Sequence, residues 1–353
     1  MQVPDGCGQR ISAGFQLFHG IGRPRRRVAA GASFGRGGNK MGKHILNRIL
    51  FAIPTLLGVL IVTFLIIRMI PGDPARLYLG ENASEVQLEA FREEKGLNKP
   101  LIVQMGIMLK DWCRGDFGDS FTQQRPALEI IFDRFPSTIQ LALAGIVFAA
   151  IFGVLFGIIA AVRRGSWADI AVVSSSTLFM SMPSFLWALI LMMVFGVWLG
   201  WIPVISLRAD TSGLRTLIAP AMSLGLSGAA LFARTTRSAM LEVLGEDYVR
   251  TARAKGLKER AVVFKHALKA GSMPIVTIIG FYFATYLAGA IVVETIFARP
   301  GIGKMLIDAV YQRDYNLVQA GTVFIAGIMV LMNLVTDILC TILDPRVRAE
   351  SGN

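Results

Sequence analysis

The sequence predicts an all-α, polytopic integral membrane protein with six transmembrane helices and both termini in the cytoplasm. Three observations support this fold class. Apolar residues make up 54% of the 353 residues, only 17% are charged, and the apolar residues collect in long stretches. A helix crosses the hydrocarbon core of a bilayer with about 20 apolar residues. Stretches of this kind occur at residues 49–67, 139–162, 170–199, 217–233, 275–297 and 318–343.

The fourth stretch is the weakest of the six, because it is short and contains Pro220, Ser223, Gly225 and Gly228. The alternative is that the stretches are buried helices of a large soluble protein, which would need polar faces at helical spacing. The first, second, third and sixth stretches have almost no polar face. The pattern therefore favours membrane spans.

The orientation follows from the charges between the spans, because cytoplasmic loops carry an excess of Lys and Arg. The segments on the side of the termini have a net charge of +14, and those on the opposite side have −1. The net charge of +12 for the whole chain is thus mainly a topology signal. A nucleic-acid surface, which needs its basic residues clustered on a soluble face, is disfavoured, and no nucleic-acid partner is predicted.

Residues 1–40 form a basic, Gly-rich tail that we predict to be disordered, or untranslated if Met41 is the first residue. Contact of this tail with anionic membrane lipid is the alternative. The tail has no apolar segment long enough for a signal peptide. Residues 349–353 form the C-terminal tail. The 3 cysteines and 3 histidines are scattered, so neither a disulfide nor a metal site is predicted.

The external segment, residues 72–137, is predicted to contain two helices. Ser84 and Gln87 fit a capping box before the first, which ends at Gly96, and Pro100 begins the second. The second helix has an apolar stripe that we expect to pack on the outer membrane surface or on neighbouring helices, with docking of an external partner as the alternative. The stripe consists of Leu101, Met105, Met108, Leu109 and Trp112.

The internal loop, residues 234–272, is long and basic, and it begins with a short predicted helix. Acidic residues precede this helix, basic residues end it, and Gly256 follows where a left-handed C-cap is expected. Tyr248, Val249 and Ala252 share one face, which is typical of a helix that docks into a groove on another protein. The alternative is a solvated basic surface. A second amphipathic stretch, residues 258–270, is predicted to lie in the inner interface of the membrane.

Proline 183 is predicted to kink the third span, since proline removes a backbone donor and clashes with the preceding turn. Its small polar neighbours favour a position beside the translocation path over a packed kink elsewhere. The predicted path residues are Ser181, Pro183 and Ser184.

Three charged residues, Arg68, Glu294 and Asp337, fall within or at the ends of spans, where they are costly in lipid. Arg68 and Glu294 are predicted either to pair with each other or to reach the interface separately. Gly153 and Gly157 form a small-xxx-small pair that allows close helix packing.

No catalytic residue is predicted. The Gly-rich segment at Gly301 to Lys304 lacks the spacing and the Ser or Thr of a phosphate loop. The hydroxyl residues at 174–177 have no His or Lys at helical spacing to act as a base, so a membrane hydrolase is disfavoured.

Sequence motifs indicate a family. The run EDYVRTARAKGL at residues 246–257, followed by HAL at 266–268, resembles the cytoplasmic coupling loop of ABC importer permeases of the dipeptide and oligopeptide family. Other segments resemble the family in order, over about residues 41–348. They are PGDP after the first span, GDFGDSF at 115–121, RRGSWAD at 163–169, SMPSF at 181–185, VVETIFARPGIGKM at 292–305, RDYNLVQ at 313–319 and LDPRVR at 343–348. Importer permeases at large have Glu-Ala-Ala where this chain has Arg250, Thr251 and Ala252.

This resemblance implies that the chain is a non-enzymatic permease subunit of an ATP-driven importer in the bacterial inner membrane, forming half of the pathway for short peptides or a similar small solute. It also implies a second, homologous permease subunit, two cytoplasmic ATPase subunits that bind ATP and Mg, and an extracytoplasmic solute-binding protein. The chain itself is expected to hold no cofactor. The residues implied to couple to the ATPases are Glu246, Asp247, Tyr248, Val249, Arg250, Thr251, Ala252, Arg253, Ala254, Lys255, Gly256 and Leu257.

The alternative function is an ion-coupled secondary carrier, which would be expected to show internal repeats. We find none in the sequence. The sequence does not identify the solute, since members of the resembling family carry short peptides, glutathione, nickel complexes or sugars.

Overall fold

A computed structural model describes residues 37–70, 72–80, 82–201 and 214–343, and these residues form helices without β-strands. Most of the predicted N-terminal tail and the whole C-terminal tail lie outside the described residues. The α-helices are α1 (Gly37–Met69), α2 (Pro74–Leu79), α3 (Glu85–Glu94), α4 (Leu101–Cys113), α5 (Ala127–Val162), α6 (Trp167–Ser181), α7 (Ser184–Leu191), α8 (Leu214–Leu244), α9 (Asp247–Ala254), α10 (Glu259–Ala261), α11 (Leu268–Ala270), α12 (Ser272–Ile296), α13 (Ile302–Tyr311) and α14 (Tyr315–Leu343). Two π-helical segments continue this path, Met192–Trp198 after α7 and Val262–Ala267 between α10 and α11.

Four helices of the described chain, α1, α5, α8 and α14, are long and apolar enough to cross a membrane. Two further spans are present if each of two bent helix pairs crosses as one unit, which gives up to six. One of these pairs includes α12, whose 25 residues extend about 37 Å at 1.5 Å per residue. The all-helical membrane class is confirmed, while the number of six spans and the position of the termini stay predictions.

The third predicted span is broken rather than kinked. Trp167–Ser181 and Ser184–Trp198 meet at 102°. Met182 leaves the helical conformation, with φ −103° and ψ 132°, and Pro183 then occupies the N-cap position of α7. Proline forces its preceding residue out of the α region. The sequence predicts the position of the bend, but its angle is far larger than that of a kink within a continuous helix.

Helices α5 and α8 pack closely at small residues. A Cβ added to Gly153 would lie 2.6 Å from Phe232 Cβ, and one added to Gly157 would lie 2.6 Å from the carbonyl oxygen of Ala233. Real Cβ atoms do not approach other heavy atoms so closely, so both positions require glycine. The predicted small-xxx-small contact is confirmed, and its partner helix is α8.

The external helices are held by local side-chain bonds. The capping box predicted at the start of α3 is present, because the Gln87 amide donates to Ser84 Oγ at 3.4 Å and the Ser84 amide donates to Gln87 Oε1 at 3.0 Å. Arg92 of α3 donates to Asp73, which caps α2. The Arg92 guanidinium holds the pKa of the Asp73 carboxyl below its usual value. Helices α2 and α3 are therefore tied together outside the spans.

Two motif segments that are far apart in the sequence meet at Asp314. This buried side chain caps α14 through the Leu317 amide, at 3.2 Å, and also accepts hydrogen bonds from the Ser120 hydroxyl and the Thr122 amide. The GDFGDSF and RDYNLVQ segments are thus joined across 194 residues of chain. The start of α14 is fixed to the loop that precedes α5.

Glu294 and Arg68 do not form the ion pair that was one of the two predicted alternatives. The buried Glu294 carboxylate accepts from Thr138 Oγ1 at 2.7 Å and from the Gly303 amide at 2.8 Å, at the beginning of α13. Arg68 lies over the Phe64 ring, 5.4 Å from its centroid. Glu294 therefore ties α12 to α5 and α13. Asp337 lies within α14.

Candidate functional site

The candidate site is the short helix α9 and the turn that ends it. Helix α9 has eight residues and follows Glu246, which occupies the N-cap position. The Gly256 amide donates to the Arg253 carbonyl at 2.9 Å, and the Leu257 amide donates to the Ala252 carbonyl at 3.4 Å. These two bonds form a Schellman motif. Gly256 has φ +76°, which confirms the predicted left-handed C-cap.

The inner face of α9 packs on its own chain. Val249 and Ala252 are buried together with Val262 and are covered further by Val243 and Leu244 at the end of α8. The prediction that Ala252 presents a small apolar surface to a partner is therefore wrong for this side chain. An eight-residue helix is too short to be stable alone, so this intrachain packing fixes its position.

The outer face of α9 is open. Tyr248 is 46% exposed, and Leu257 beyond the turn is 42% exposed. Partial burial raises the pKa of the Tyr248 hydroxyl, and the nearby charge of Glu246 adds to this effect, so the phenol is neutral at physiological pH. The other predicted coupling residues that are exposed are Glu246, Asp247, Arg250, Thr251, Arg253, Ala254, Lys255 and Gly256.

An exposed ion pair joins the end of α9 to α10. Arg253 donates through Nη2 to Glu259 Oε1 at 2.8 Å and through Nε to Glu259 Oε2 at 3.2 Å. These bonds raise the pKa of the Arg253 guanidinium. This bidentate geometry mainly fixes the orientation of the end of α9 relative to α10. It adds little to the free energy of unfolding, because exposed ion pairs contribute at most about 1 kcal/mol.

The loop that carries α9 is seated on the inner ends of two long helices. Val263 and Ala267 of the π-helical segment are buried against Ile158 and Ala161 of α5 and against Met240 of α8. We call α9, α10, α11 and the π-helical segment between α10 and α11 the platform. Its apolar residues face α5 and α8 in this chain, so the platform is packed rather than a solvated basic loop.

A second contact near the platform joins α6 to α8. Asp169 accepts from Arg237 Nε at 2.5 Å and from Arg237 Nη2 at 2.8 Å, and it also accepts from the Gly165 amide at 2.9 Å. The Asp169 side chain is buried. The sequence does not indicate this pair, although Asp169 ends the RRGSWAD motif, because its partner lies 68 residues further along the chain.

The predicted path residues lie at the break between α6 and α7. Ser181 is exposed, and its hydroxyl donates to the Thr177 carbonyl of its own helix at 2.8 Å. Pro183 is exposed and Ser184 is half-buried. The structure brings these residues together at one bend, 102° in size, but it does not test whether they line a path. Their role stays a prediction.

The chain belongs to the family of binding-protein-dependent transport system inner membrane components. Residues 153–349 match this family, and residues 41–142 match its N-terminal component. The chain is therefore a multi-pass permease subunit of an ABC importer of the peptide family, a transport component rather than an enzyme. The family is that of ABC importers and not that of ion-coupled secondary carriers, which were the alternative function.

Relatives match along nearly their whole length. The di/tripeptide transport system permease protein DppB of Pseudomonas aeruginosa (strain UCBPP-PA14) is 44% identical over 88% of this chain and 100% of its own length. The glutathione transport system permease protein GsiC of Escherichia coli O1:K1 / APEC is 41% identical over 87% of this chain and 99% of its own.

A solved structure supports the fold alone. An inward-facing form of the MetNI methionine ABC transporter aligns with a TM-score of 0.51 and 17% identity, over 61% of this chain and 96% of that one. At that identity the likeness concerns the fold and not the solute.

Proposed function

We propose that the exposed face of α9 is the surface on which an ATPase subunit docks, and that its movement is transmitted to the spans through the platform. The observation that carries the proposal is the division of α9 into two faces. Val249 and Ala252 fix the helix to its own chain, which leaves Tyr248 and Thr251 open to a partner. A rigid helix with one open face suits the helix-in-groove mode of recognition.

Membership of the family supports a set of partners. We propose a complex with two cytoplasmic ATPase subunits, which bind ATP and Mg, a second homologous permease subunit, and an extracytoplasmic solute-binding protein. ATP binding closes the ATPases, α9 moves with them, and the pathway switches between inward and outward access, which is coupling through a two-state element. The path residues we propose are Ser181, Pro183 and Ser184.

The cargo we propose is a short peptide or a similar small solute. Support comes from the names of the relatives, which include a di/tripeptide and a glutathione transport permease at more than 40% identity. Glutathione is itself a tripeptide, so both names describe compact molecules with amides and carboxylates. Binding measurements on the cognate solute-binding protein test this point directly.

The docking proposal is tested in the complete complex reconstituted in vesicles. Tyr248→Ala removes an exposed aromatic side chain, and Thr251→Trp adds bulk on the same open face without touching Val249 or Ala252. Both variants are expected to insert normally and to lose transport and solute-stimulated ATP hydrolysis together. ATPase co-purification is expected to weaken about tenfold or more, as for an interface residue at the centre of a contact.

The matched control is Tyr311→Ala, which removes a tyrosine that is exposed at the predicted opposite side of the membrane. This control is expected to keep ATPase binding and ATP hydrolysis. If Tyr248→Ala and Thr251→Trp both support full transport, α9 is not the docking surface. Transport driven by an ion gradient in vesicles without ATP would contradict the ATP-driven mechanism itself.

A further inference from the structure

Helix α8 carries an exposed charge within a candidate membrane span. The sequence predicts Arg234 as the first residue of the internal loop, whereas the structure places it inside α8 and inside the candidate span Thr216–Leu244. Ten residues separate it from the end of α8, about 15 Å along the helix axis. Its side chain is exposed, and among the residues that the structure describes no ion pair joins it to a carboxylate.

The side of α8 that carries Arg234 points away from α5. Gly225 of α8 lies against Phe148 of α5, and Arg234 follows Gly225 by nine residues, which is two and a half turns at about 3.6 residues per turn. Ser227 and Ser238 lie on the same side of the helix as Arg234. Arg234 and Ser238 are exposed and Ser227 is half-buried. We call these three residues the polar side of α8.

The polar side of α8 lies between two neighbouring helices. Arg237 joins α8 to α6 through Asp169, and Phe232 joins α8 to α12 through the Tyr282 ring, with ring centroids 5.4 Å apart. These contacts are on opposite flanks of Arg234. Both neighbouring helices expose hydroxyl side chains, which are Ser174, Thr177 and Ser181 on α6 and Thr277 and Thr285 on α12.

The Arg234 side chain reaches the break between α6 and α7. Its Nη1 lies 3.8 Å from the sulfur of Met180, which is the residue before Ser181. The helix is interrupted at Met182, and Pro183 is exposed. Irregular backbone at membrane depth is stable only where it is buried in protein or lines a water-filled cavity. Because its own chain does not bury Pro183, a water-filled cavity suits the break.

The charge of Arg234 decides what the polar side of α8 faces. The Ser181 hydroxyl donates to a carbonyl of its own helix, so this residue alone is compatible with lipid. An unpaired arginine within a span is not, and such residues face water or protein. An exposed cation and exposed irregular backbone are independent features, and both exclude lipid. The 3.8 Å contact of Arg234 with Met180 brings them together.

We propose that the polar side of α8 lines the translocation path beside the break, and that Arg234 makes this part of the path positively charged. A fixed cation in a hydrated path attracts anions and repels cations, so this segment acts on the charge of whatever passes. The inference rests on the proposed path at Ser181, Pro183 and Ser184, and it adds an element that selects by charge. It does not depend on ATPase docking.

The probes are two small thiol reagents of opposite charge, sulfonatoethyl methanethiosulfonate and trimethylammonioethyl methanethiosulfonate. They are applied at low ionic strength to the complete complex in phosphatidylcholine nanodiscs. This chain carries Ser238→Cys and lacks its 3 native cysteines, and its labelling is followed by mass. A unit charge about 7 Å away in water changes the rate of each reagent about two- to threefold, in opposite directions. The ratio of the anionic to the cationic rate is therefore expected to be about fivefold higher with Arg234 than without its charge.

Variants of Arg234 separate its charge from its shape. Arg234→Gln and Arg234→Met are neutral and are expected to lower the rate ratio at Ser238→Cys about fivefold. Arg234→Lys keeps the charge and is expected to keep the ratio. The control cysteine is Val86→Cys, which is 81% exposed on the external helix α3. Its ratio is expected to be the same in all four backgrounds.

A ratio at Ser238→Cys that the neutral variants leave unchanged, or that Arg234→Lys lowers as much as Arg234→Gln does, would overturn the proposal. Hydration of the polar side is tested separately by Ser227→Cys with Arg234 intact, which is expected to react in at least one nucleotide state. If Ser181→Cys reacts and Ser227→Cys never does, the path at the break stands and this inference fails. If neither cysteine ever reacts, the proposed path fails as well.

Discussion

Gly256 allows the proposed coupling role of α9 to be tested through the backbone alone. The residue has φ +76°, and a Cβ built there has no other atom within 4 Å. A substitution at this position therefore meets no steric obstacle, and its whole cost is the left-handed backbone conformation. We compare Gly256→Asn, Gly256→Ala and Gly256→Val, which differ in how well each residue tolerates that conformation.

The expected cost of each substitution follows from the positive φ of Gly256 and from the open space around it. The left-handed conformation costs a residue with a Cβ about 1–2 kcal/mol of free energy. The cost is smaller for asparagine and largest for a β-branched residue. A cost of 1–2 kcal/mol shifts the equilibrium between the capped and uncapped turn about 5- to 30-fold. The Schellman bonds from Gly256 and Leu257 are lost in the uncapped turn, and the end of α9 is no longer held.

The assay is solute-stimulated ATP hydrolysis together with transport, in vesicles that contain the complete complex. Activity is expected to fall in the order wild type, Gly256→Asn, Gly256→Ala, Gly256→Val, with unchanged membrane abundance. Protection of the α9 amides from hydrogen exchange is expected to fall in the same order. Equal activity of Gly256→Val and the wild type would refute the reasoning. Activities that fall with increasing side-chain volume, with Gly256→Asn less active than Gly256→Ala, would also refute it.

The other predictions concern packing and topology. Ala252→Arg places a charge in the buried contact beneath α9, at a cost of about 2 kcal/mol or more, and is expected to abolish coupling while the chain still inserts, as measured by transport and membrane abundance. Gly153→Leu overfills the contact of α5 with α8, at a cost of about 1–3 kcal/mol or more, and a lowered thermal midpoint in detergent checks it. A lone cysteine at Val86 is expected to react with an impermeant thiol reagent in intact cells, and one at Lys258 only after permeabilisation. A reversed labelling pattern would contradict the predicted orientation.

Features that depend on a few neighbouring residues could be predicted from the sequence. The capping box of Ser84 and Gln87 and the left-handed Gly256 are both present, because each is decided within a single turn of chain. The long apolar stretches were likewise predictable, since each contains enough apolar residues to cross a bilayer. These signals need no knowledge of distant contacts.

Features that depend on distant contacts could not be predicted in this way. The amphipathic pattern of α9 predicts an apolar face, but it does not show which part of the complex packs on that face. In the structure, Ala252 packs on its own chain. The bond between Asp314 and Ser120 joins residues 194 positions apart. Pro183 marks where the third span bends, yet the angle depends on how α6 and α7 are held by other helices.

The packing of α8 gives a route by which the proposed movement of α9 would reach the spans. The end of α8 covers the inner face of α9, and Met240, one turn earlier, packs on the π-helical segment of the platform. Further along α8, Arg237 holds Asp169 at the start of α6, and Ala233 approaches Gly157 of α5. Close-packed contacts of this kind transmit displacement instead of absorbing it. Under the proposed function, a force on α9 is therefore expected to act on α5, α6 and α8 together, and α6 leads directly to the break at Pro183. The same arrangement suits the eight-residue length of α9, because a helix this short takes its direction from the end of α8 and from Val262, on which it packs.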